Sequence, residues 1–445
     1  MAFIERFFKL SENNTNVRTE VYAGFTTFMT LAYILIVNPS ILSATGMDQG
    51  ALLTSTAVAS AIATFAMAFL ANYPFALAPG MGLNAYFAYT VVLKYGYSWQ
   101  TALGAVFIEG VLFILLSSVN VREAIFESIP RNLKISTSIG IGLFVTFIGM
   151  QKSGIIIGDS ETLIELGNIK SVPVALALIG TIITVFFVIR KVKGALLWGI
   201  FITYAMGIIC QLMGVYVVND SIGFHSLIPA GIVSAPPSIE PVFLKMNLRN
   251  AFSLEFVTVV FSFLFVDVFD TIGTLIGVSE NAGYLDKDGK LPKIKGALLS
   301  DAIGTTAGAI LGTSTVTTML ESTSGVSVGG RTGLTSVVTG TLFLVTLLFT
   351  PLITSIPTFA TAPALITVGL FMIGNIAKIN FKDYTEGFPA FISMVMTVFA
   401  YSISDGLIFG TLSYVLIKIM TGRFRELNPV IIIIAGLFFL KLILS

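Results

Sequence analysis

Residues 74–84 read PFALAPGMGLN and residues 312–318 read GTSTVTT, and these two stretches decide the fold. The first stretch cannot form a regular helix, because its prolines lack an amide donor and its glycines weaken helical propensity. We expect an extended stub followed by a half-helix. The second stretch is rich in β-branched residues and also predicts extended backbone. Residues 321–325, which read ESTSG, then carry the signals of a helix N-terminus.

Both stretches lie in a chain that is dominated by apolar residues. Of its 445 residues, 55% are apolar and only 11% are charged, and the mean hydropathy is +0.92, which is outside the range of soluble domains. Non-helical backbone at membrane depth is tolerated only where protein buries it or where it lines a cavity, and paired interruptions indicate a transporter site. We therefore predict a polytopic secondary transporter. Two surface loops that join shorter helices are the alternative interpretation.

Apolar runs of about 20 residues, the length that crosses a bilayer, predict fourteen spans. They lie near 19–43, 51–72, 74–93, 99–119, 131–150, 172–190, 194–217, 250–279, 296–312, 313–330, 333–355, 360–378, 386–401 and 404–421. Seven spans per half is an odd number, so two similar halves would enter the membrane from opposite faces as a 7+7 inverted repeat. Residues 1–18 are predicted to form an amphipathic segment on the membrane surface. Whether the apolar stretch 429–444 spans the membrane is left open.

The distribution of basic residues predicts the orientation. With a cytoplasmic N-terminus, most lysines and arginines fall in the cytoplasmic loops, where they accumulate in membrane proteins. The loops on the other side hold only Lys94, Lys152, Lys170, Lys245 and Arg249. We predict a multi-pass protein of the cell (inner) membrane.

Carboxylates inside a membrane are costly and usually functional. Asp267 and Asp270 lie in the eighth span and share one helix face at i and i+3. Glu321 stands at the start of the second half-helix, where unpaired backbone donors favour its ionised form. We interpret Asp267 and Glu321 as functional, and leave Asp270 between a functional and a structural role. For Glu109 and Asp301 we expect structural roles, with each acid satisfied by neighbouring hydroxyl or backbone groups.

Enzyme and nucleic-acid functions are not supported. The single histidine, His225, lies in an outer loop, so the membrane offers no histidine base or histidine-ligated metal. The single cysteine, Cys210, excludes disulfides and cysteine-rich metal sites, and the basic residues form no stripe for nucleic acid. We predict no catalytic residues, no metal and no cofactor. A passive channel is the alternative to a transporter.

Three runs resemble the purine permease branch of the nucleobase/ascorbate transporter superfamily, the AzgA-like guanine/hypoxanthine/adenine permeases. They are APGMGLNAYF at 78–87, FVDVFDTIGTL at 265–275, and ESTSG at 321–325 with GGRTGLT at 329–335. The resemblance extends from Glu20 to Gly422. It implies a core domain of spans 1–4 and 8–11 (19–119 and 250–355) and a gate domain of spans 5–7 and 12–14 (120–217 and 356–445). A homodimer is a common assembly in such proteins.

The resemblance also implies function and site residues. It implies import of guanine, hypoxanthine or adenine by proton symport with alternating access, with sodium as the alternative coupling ion. Substrate binding falls on Asp267, Glu321, Asn84 and Gly82, and proton coupling on Asp267, Glu321 or Asp270. Asp267 and Asp270 compete for the same motif position, and that choice is left open. Uracil, xanthine or an anion such as sulfate is the alternative substrate, although a carboxylate at the half-helix would repel an anion.

Overall fold

The computed structural model describes residues 2–118, 130–218, 225–249, 254–284 and 291–444. The helices of the first half are α1 Ala2–Phe8, α2 Val17–Leu31, α3 Ile34–Leu42, α4 Gln49–Ala66, α5 Met81–Ala85, α6 Trp99–Ser118, α7 Arg131–Lys152, α8 Val172–Ile189 and α9 Ala195–Leu212. Those of the second half are α10 Leu254–Ala282, α11 Ile294–Leu311, α12 Ser322–Ser327, α13 Gly333–Thr346, α14 Thr350–Thr354, α15 Thr358–Ile373, α16 Tyr384–Phe399, α17 Ile403–Met420 and α18 Pro429–Leu444.

The extended stubs expected in the third and tenth spans are confirmed. Strand β1, Leu77–Pro79, pairs antiparallel with β4, Val316–Thr318, so that Ala78 lies opposite Thr317. Strands β2, Ile156–Asp159, and β3, Leu163–Leu166, form a separate hairpin after α7. Within the described ranges, nine helical segments are long and apolar enough to cross a membrane. The predicted span ends at 119 and 250 lie outside the described residues.

Two groups of helices can be distinguished by their packing. In one group, α11 packs on α4 and α6, while α13 packs on α2 and α4. In the other, α15 packs on α7, α8 and α9, and α16 packs on α7 and α17. We call these the core group and the gate group. The β1–β4 ribbon lies within the core group, where it contacts α4 and α11.

The ribbon is stable in an apolar environment because threonine hydroxyls satisfy its outer edges. Thr64 of α4 donates to the Leu77 carbonyl at 3.1 Å and accepts from the Leu77 amide at 3.0 Å. Thr305 of α11 donates to the Val316 carbonyl at 3.0 Å and accepts from the Val316 amide at 3.3 Å. The hydroxyl that bonds to each strand therefore comes from the helix that precedes that strand in the chain. Backbone groups at membrane depth require such internal partners.

The contact between the first and eleventh spans depends on one buried acid. Glu20 of α2 is fully buried and accepts hydrogen bonds from the amides of Arg331, Thr332 and Thr335 at 2.8, 3.2 and 3.2 Å. These amides lie at the start of α13, where the helix leaves its donors unpaired and favours negative charge. Glu20 therefore fixes α2 to α13 within the core group.

The chain ends add two peripheral elements. Residues 2–8 are helical, and Phe8 packs with Leu10 against Ala68 and Leu334. Helix α18 is formed by the apolar stretch that lies beyond the fourteen predicted spans. It packs on α17, and its Phe438 ring lies 5.5 Å from that of Phe265 in α10. One face of α18 is therefore buried against α17 and α10.

Candidate functional site

A cavity of about 490 Å³ lies between the core and gate groups, beside the β1–β4 ribbon. The core group lines it with side chains of both polar and apolar character, and the gate group contributes mainly apolar ones. The principal core residues are Tyr33, Gly80, Gly82, Asp270, Thr318 and Glu321, and the gate residues include Ile141, Val368, Phe371 and Met372. Lys191 and Lys193, from the loop between α8 and α9, also line it. The cavity therefore presents two carboxylates opposite an apolar wall.

Glu321 is held at the cavity by the ribbon and by a tyrosine. The ribbon ends when the Met319 amide donates to the Ala76 carbonyl at 3.0 Å, and Glu321 follows directly before α12. The fully buried Tyr33, between α2 and α3, donates its hydroxyl to Glu321 Oε1 at 2.6 Å. Glu321 is also among the residues that line the cavity, where its carboxylate can meet a ligand.

Asp270 of α10 is the second acid of the cavity. It is half-buried and faces Gly80, the residue that joins β1 to α5. A Cβ atom at Gly80 would lie 3.1 Å from Asp270 Oδ2 and 2.7 Å from Thr317 Cγ2. Glycine is thus required for the ribbon to approach α10 closely. Asp270 and Glu321 consequently face the same space from two sides of the ribbon.

The structure places Asp267 outside the cavity lining, contrary to the direct contact that the sequence suggested. Asp267 is fully buried, and its Oδ1 lies 2.9 Å from Thr271 Oγ1. The same hydroxyl lies 2.8 Å from Asp301 Oδ1 and 2.8 Å from Thr317 Oγ1. Asp267 therefore belongs to a polar cluster behind the ribbon. The Asp301–Thr271 contact is the kind of hydroxyl partner that we expected for Asp301, and Glu109 has a similar one in Thr315 at 2.8 Å.

Asn84 and Gly82 are separated by the structure. Gly82 lines the cavity, whereas Asn84 is fully buried and absent from its lining. The Asn84 side-chain carbonyl accepts from the hydroxyl of Ser314, just before β4. Its amide nitrogen has no hydrogen-bond partner in the described part of the chain. Asn84 thus fixes the half-helix to the ribbon.

Sequence reasoning missed two polar residues of this site. Tyr33 stands in the aliphatic run 31–37, and its isolated hydroxyl in that run was the available signal. Thr318 lines the cavity, and its buried hydroxyl has no hydrogen-bond partner within the described ranges. Both residues add hydrogen-bonding capacity to the two acids.

We expect Gly82→Ala to slow transport at least about fivefold, because overpacking costs about 1–3 kcal/mol. A Cβ atom at Gly82 would lie 2.5 Å from Ile141 Cγ2 on the gate helix α7. Adding Ile141→Ala should restore much of the rate by making room for the new methyl group. Gly436→Ala, where a Cβ meets nothing within 4 Å, is the control. Equal loss in the single and double variants would contradict this steric explanation.

Comparison with known proteins gives consistent similarities. The profile of a permease family, Xan_ur_permease, matches residues 18–408. The chain is 44% identical to the adenine permease AdeP of Escherichia coli, over 99% of this chain and 96% of that protein. It is 42% identical to the guanine/hypoxanthine permease PbuO of Bacillus subtilis, over 98% of this chain and 99% of that protein.

A solved structure shares the fold. The transmembrane domain of a cyanobacterium bicarbonate transporter, BicA, superposes with a TM-score of 0.63 at 16% identity, covering 89% of this chain and 97% of that domain. The likeness extends over both halves of the chain, and the fold is the 7+7 inverted repeat with a core and a gate. The prediction of fold class is confirmed.

Proposed function

The chain belongs to the permease family, and from that premise we propose that it transports purine nucleobases across the cell membrane by proton symport. The observation that carries this proposal is the pair of acids, Asp270 and Glu321, that face one cavity at the ribbon. Neutral purines present N–H donors on both rings, and hydrogen bonds to a carboxylate are the strong ones. The relatives named as adenine and guanine/hypoxanthine permeases support a purine cargo.

The size and walls of the cavity agree with such a ligand. Small-molecule sites measure about 300–1,000 Å³ and are mostly apolar with a few placed polar groups. Here the cavity measures about 490 Å³, and its gate side is lined by the apolar residues Val368, Phe371 and Met372. A planar heterocycle fits between this apolar side and the two acids, with its donor edges toward the carboxylates. Two acids also disfavour sulfate or another anion.

The cluster behind the ribbon supports coupling to a proton. A threonine hydroxyl donates one hydrogen bond and accepts up to two. Thr271 Oγ1 lies within 2.9 Å of oxygens of both Asp267 and Asp301. Thr271 can donate to only one of these acids, so a hydrogen bond to the other requires a proton on that acid. We therefore propose that Asp267 and Asp301 share one exchangeable proton next to the substrate site.

Alternating access follows from the position of the cavity between the two helix groups. Substrate contacts lie on the core group, and we propose that this group moves relative to the gate group. The domain boundaries given above, the cytoplasmic N-terminus and a homodimeric assembly stay predictions. With that orientation, Lys191 and Lys193 lie on the cytoplasmic side, so the cavity opens toward the cytoplasm.

Uptake in cells that lack their own purine permeases tests the cargo. We expect accumulation of labelled adenine, guanine or hypoxanthine, with mutual competition among the substrates that bind. A panel of unlabelled bases, including xanthine and uracil, establishes the preference. Uptake of uracil or sulfate that no purine inhibits would refute the proposal.

Reconstituted vesicles test the coupling ion separately. We expect purine accumulation to follow an inward proton gradient at equal sodium on both sides, and to collapse with a protonophore. Accumulation that follows the sodium gradient and ignores the protonophore would assign coupling to sodium. Flux that never exceeds equilibration under either gradient would indicate a passive channel.

A further inference from the structure

The third-span half-helix connects the cavity to a set of core–gate contacts on the opposite face. It begins at Met81 beside the cavity and continues to Lys94. Near its far end, Thr90 and Lys94 contact the short connector between gate helices α16 and α17, residues 400–402. We call the residues Thr90, Lys94, Tyr401 and Asp405 the outer clamp, after the predicted orientation.

The clamp is formed by polar contacts from the core to the gate. Lys94 Nζ donates to the Ala400 carbonyl at 2.5 Å and to Asp405 Oδ2 at 3.1 Å. Thr90 Oγ1 donates to the Tyr401 carbonyl at 3.3 Å. Tyr95 also lies against Asp405, and burial, reinforced by that negative charge, raises the pKa of Tyr95 to about 12. The phenol therefore stays neutral, and Lys94 supplies the cation that balances Asp405.

The ring of Tyr401 fills part of the boundary between the core and gate groups, which we call the seam. Its ring packs edge-on against Phe144 of the gate at 5.0 Å and against Tyr89 of the core at 5.9 Å. Its hydroxyl donates to Gln151 Oε1 at 2.8 Å. Tyr401 has a φ of +53°, a conformation that is uncommon for a bulky residue. Such strain persists only where surrounding contacts enforce it, and it clusters at switch regions.

A second cavity of about 750 Å³ lies in the same seam, beyond the clamp. The core lines it with Ser40 and Ser43, and the gate lines it with Gln151 and Thr358. The second cavity thus reaches the clamp through Gln151, the partner of Tyr401. The seam contains a cavity on each side of the molecule, with the clamp next to the second one.

We propose that the outer clamp is the outer gate of the transport pathway, closed in this structure by Tyr401 and the Lys94–Asp405 ion pair. The cavity beside Glu321 is open on one face while the clamp joins core and gate on the other. Rupture of the clamp contacts would let the second cavity extend toward Gly82 and the acids. This inference rests on the proposed alternating access but not on the identity of the cargo.

Cysteine accessibility tests the gate without any substrate. The chain has one cysteine, so Cys210→Ser provides the background. Ser43→Cys reports the second cavity and Ser324→Cys reports the cavity beside Glu321. In membrane vesicles of each sidedness, the rate of reaction with an impermeant maleimide is measured. We expect Lys94→Ala to accelerate labelling at position 43 about fivefold and to slow labelling at position 324, because a fivefold change corresponds to about 1 kcal/mol, the upper range for a partly exposed ion pair.

The charge-swapped double variant, Lys94→Asp with Asp405→Lys, should return both rates toward the parent values. Lys245→Ala removes an exposed lysine on the same predicted face that lines neither cavity, and should leave both rates unchanged. Tyr401→Ala should change the labelling rates at positions 43 and 324 in the same directions as Lys94→Ala. Unchanged rates in both clamp variants would overturn the proposal. Faster labelling at both positions would also overturn it. A gate that opens on one side and closes on the other raises one labelling rate and lowers the other, whereas a general loosening of the protein raises both. The labelling rates can be measured whether or not the protein takes up purines. Failure of the gate proposal can therefore be distinguished from failure of the proposed purine cargo.

Discussion

Glu321→Gln is expected to abolish purine uptake while the protein remains abundant in the membrane. The amide keeps the shape of the carboxyl group but loses the charge that strengthens its hydrogen bonds. Bonds to charged groups contribute about 1.5–3 kcal/mol each, so the affinity for a purine should fall about 10- to 100-fold with the first such bond. The measurement is binding of labelled adenine or hypoxanthine to purified protein, alongside uptake.

Two further variants sharpen that experiment. Tyr33→Phe removes the hydroxyl that holds Glu321 Oε1 at 2.6 Å and keeps the buried ring, so KM should rise about fivefold with little change in the maximal rate. Glu165→Gln, in the exposed strand β3, is the charge-matched control and should leave uptake unchanged. Normal binding by Glu321→Gln would remove Glu321 from the substrate site.

The architecture could be predicted because its determinants are local. Proline and glycine in 74–84 and β-branched residues in 312–318 disfavour helix wherever the chain places them. Their occurrence at corresponding places in two halves indicated two extended stubs at membrane depth, but the pairing of these stubs with each other was not predicted. The partners of the ribbon edges could not be predicted. Thr64 and Thr305 have the same hydroxyl as many other threonines in the spans, and only helix packing brings these two to the strands.

The site residues depended on helix rotation, which the sequence does not specify. Asp267 and Asp270 are related by three residues, or about 60° around the helix axis. Packing of α10 against α6 and β4 turns Asp267 toward Thr271 and Asp301, and turns Asp270 toward the cavity. Similarly, Asn84 is two residues from Gly82 and points to Ser314 behind the ribbon. Long-range contacts decide these orientations.

Asp270→Asn and Asp267→Asn are expected to separate substrate binding from coupling. Asp270 faces the cavity, so its amide variant should lose about 10- to 100-fold in purine affinity, for the same reason as Glu321→Gln. Asp267 is fully buried beside Thr271. An asparagine there supplies a permanent donor, as a protonated acid does. Asp267→Asn should therefore keep purine affinity within about threefold, because a neutral donor preserves the hydrogen bond to Thr271.

The coupling of Asp267→Asn should nevertheless be lost, because the cluster of Asp267, Asp301 and Thr271 would no longer exchange its proton. In proteoliposomes, this variant should equilibrate labelled purine across the membrane, and a proton gradient should produce no accumulation. Asp270→Asn should show little flux in either condition at low substrate, with partial recovery at high substrate. The reverse pattern, in which Asp267→Asn cannot bind and Asp270→Asn binds normally but fails to accumulate purine, would exchange the two assignments and place Asp267 at the substrate.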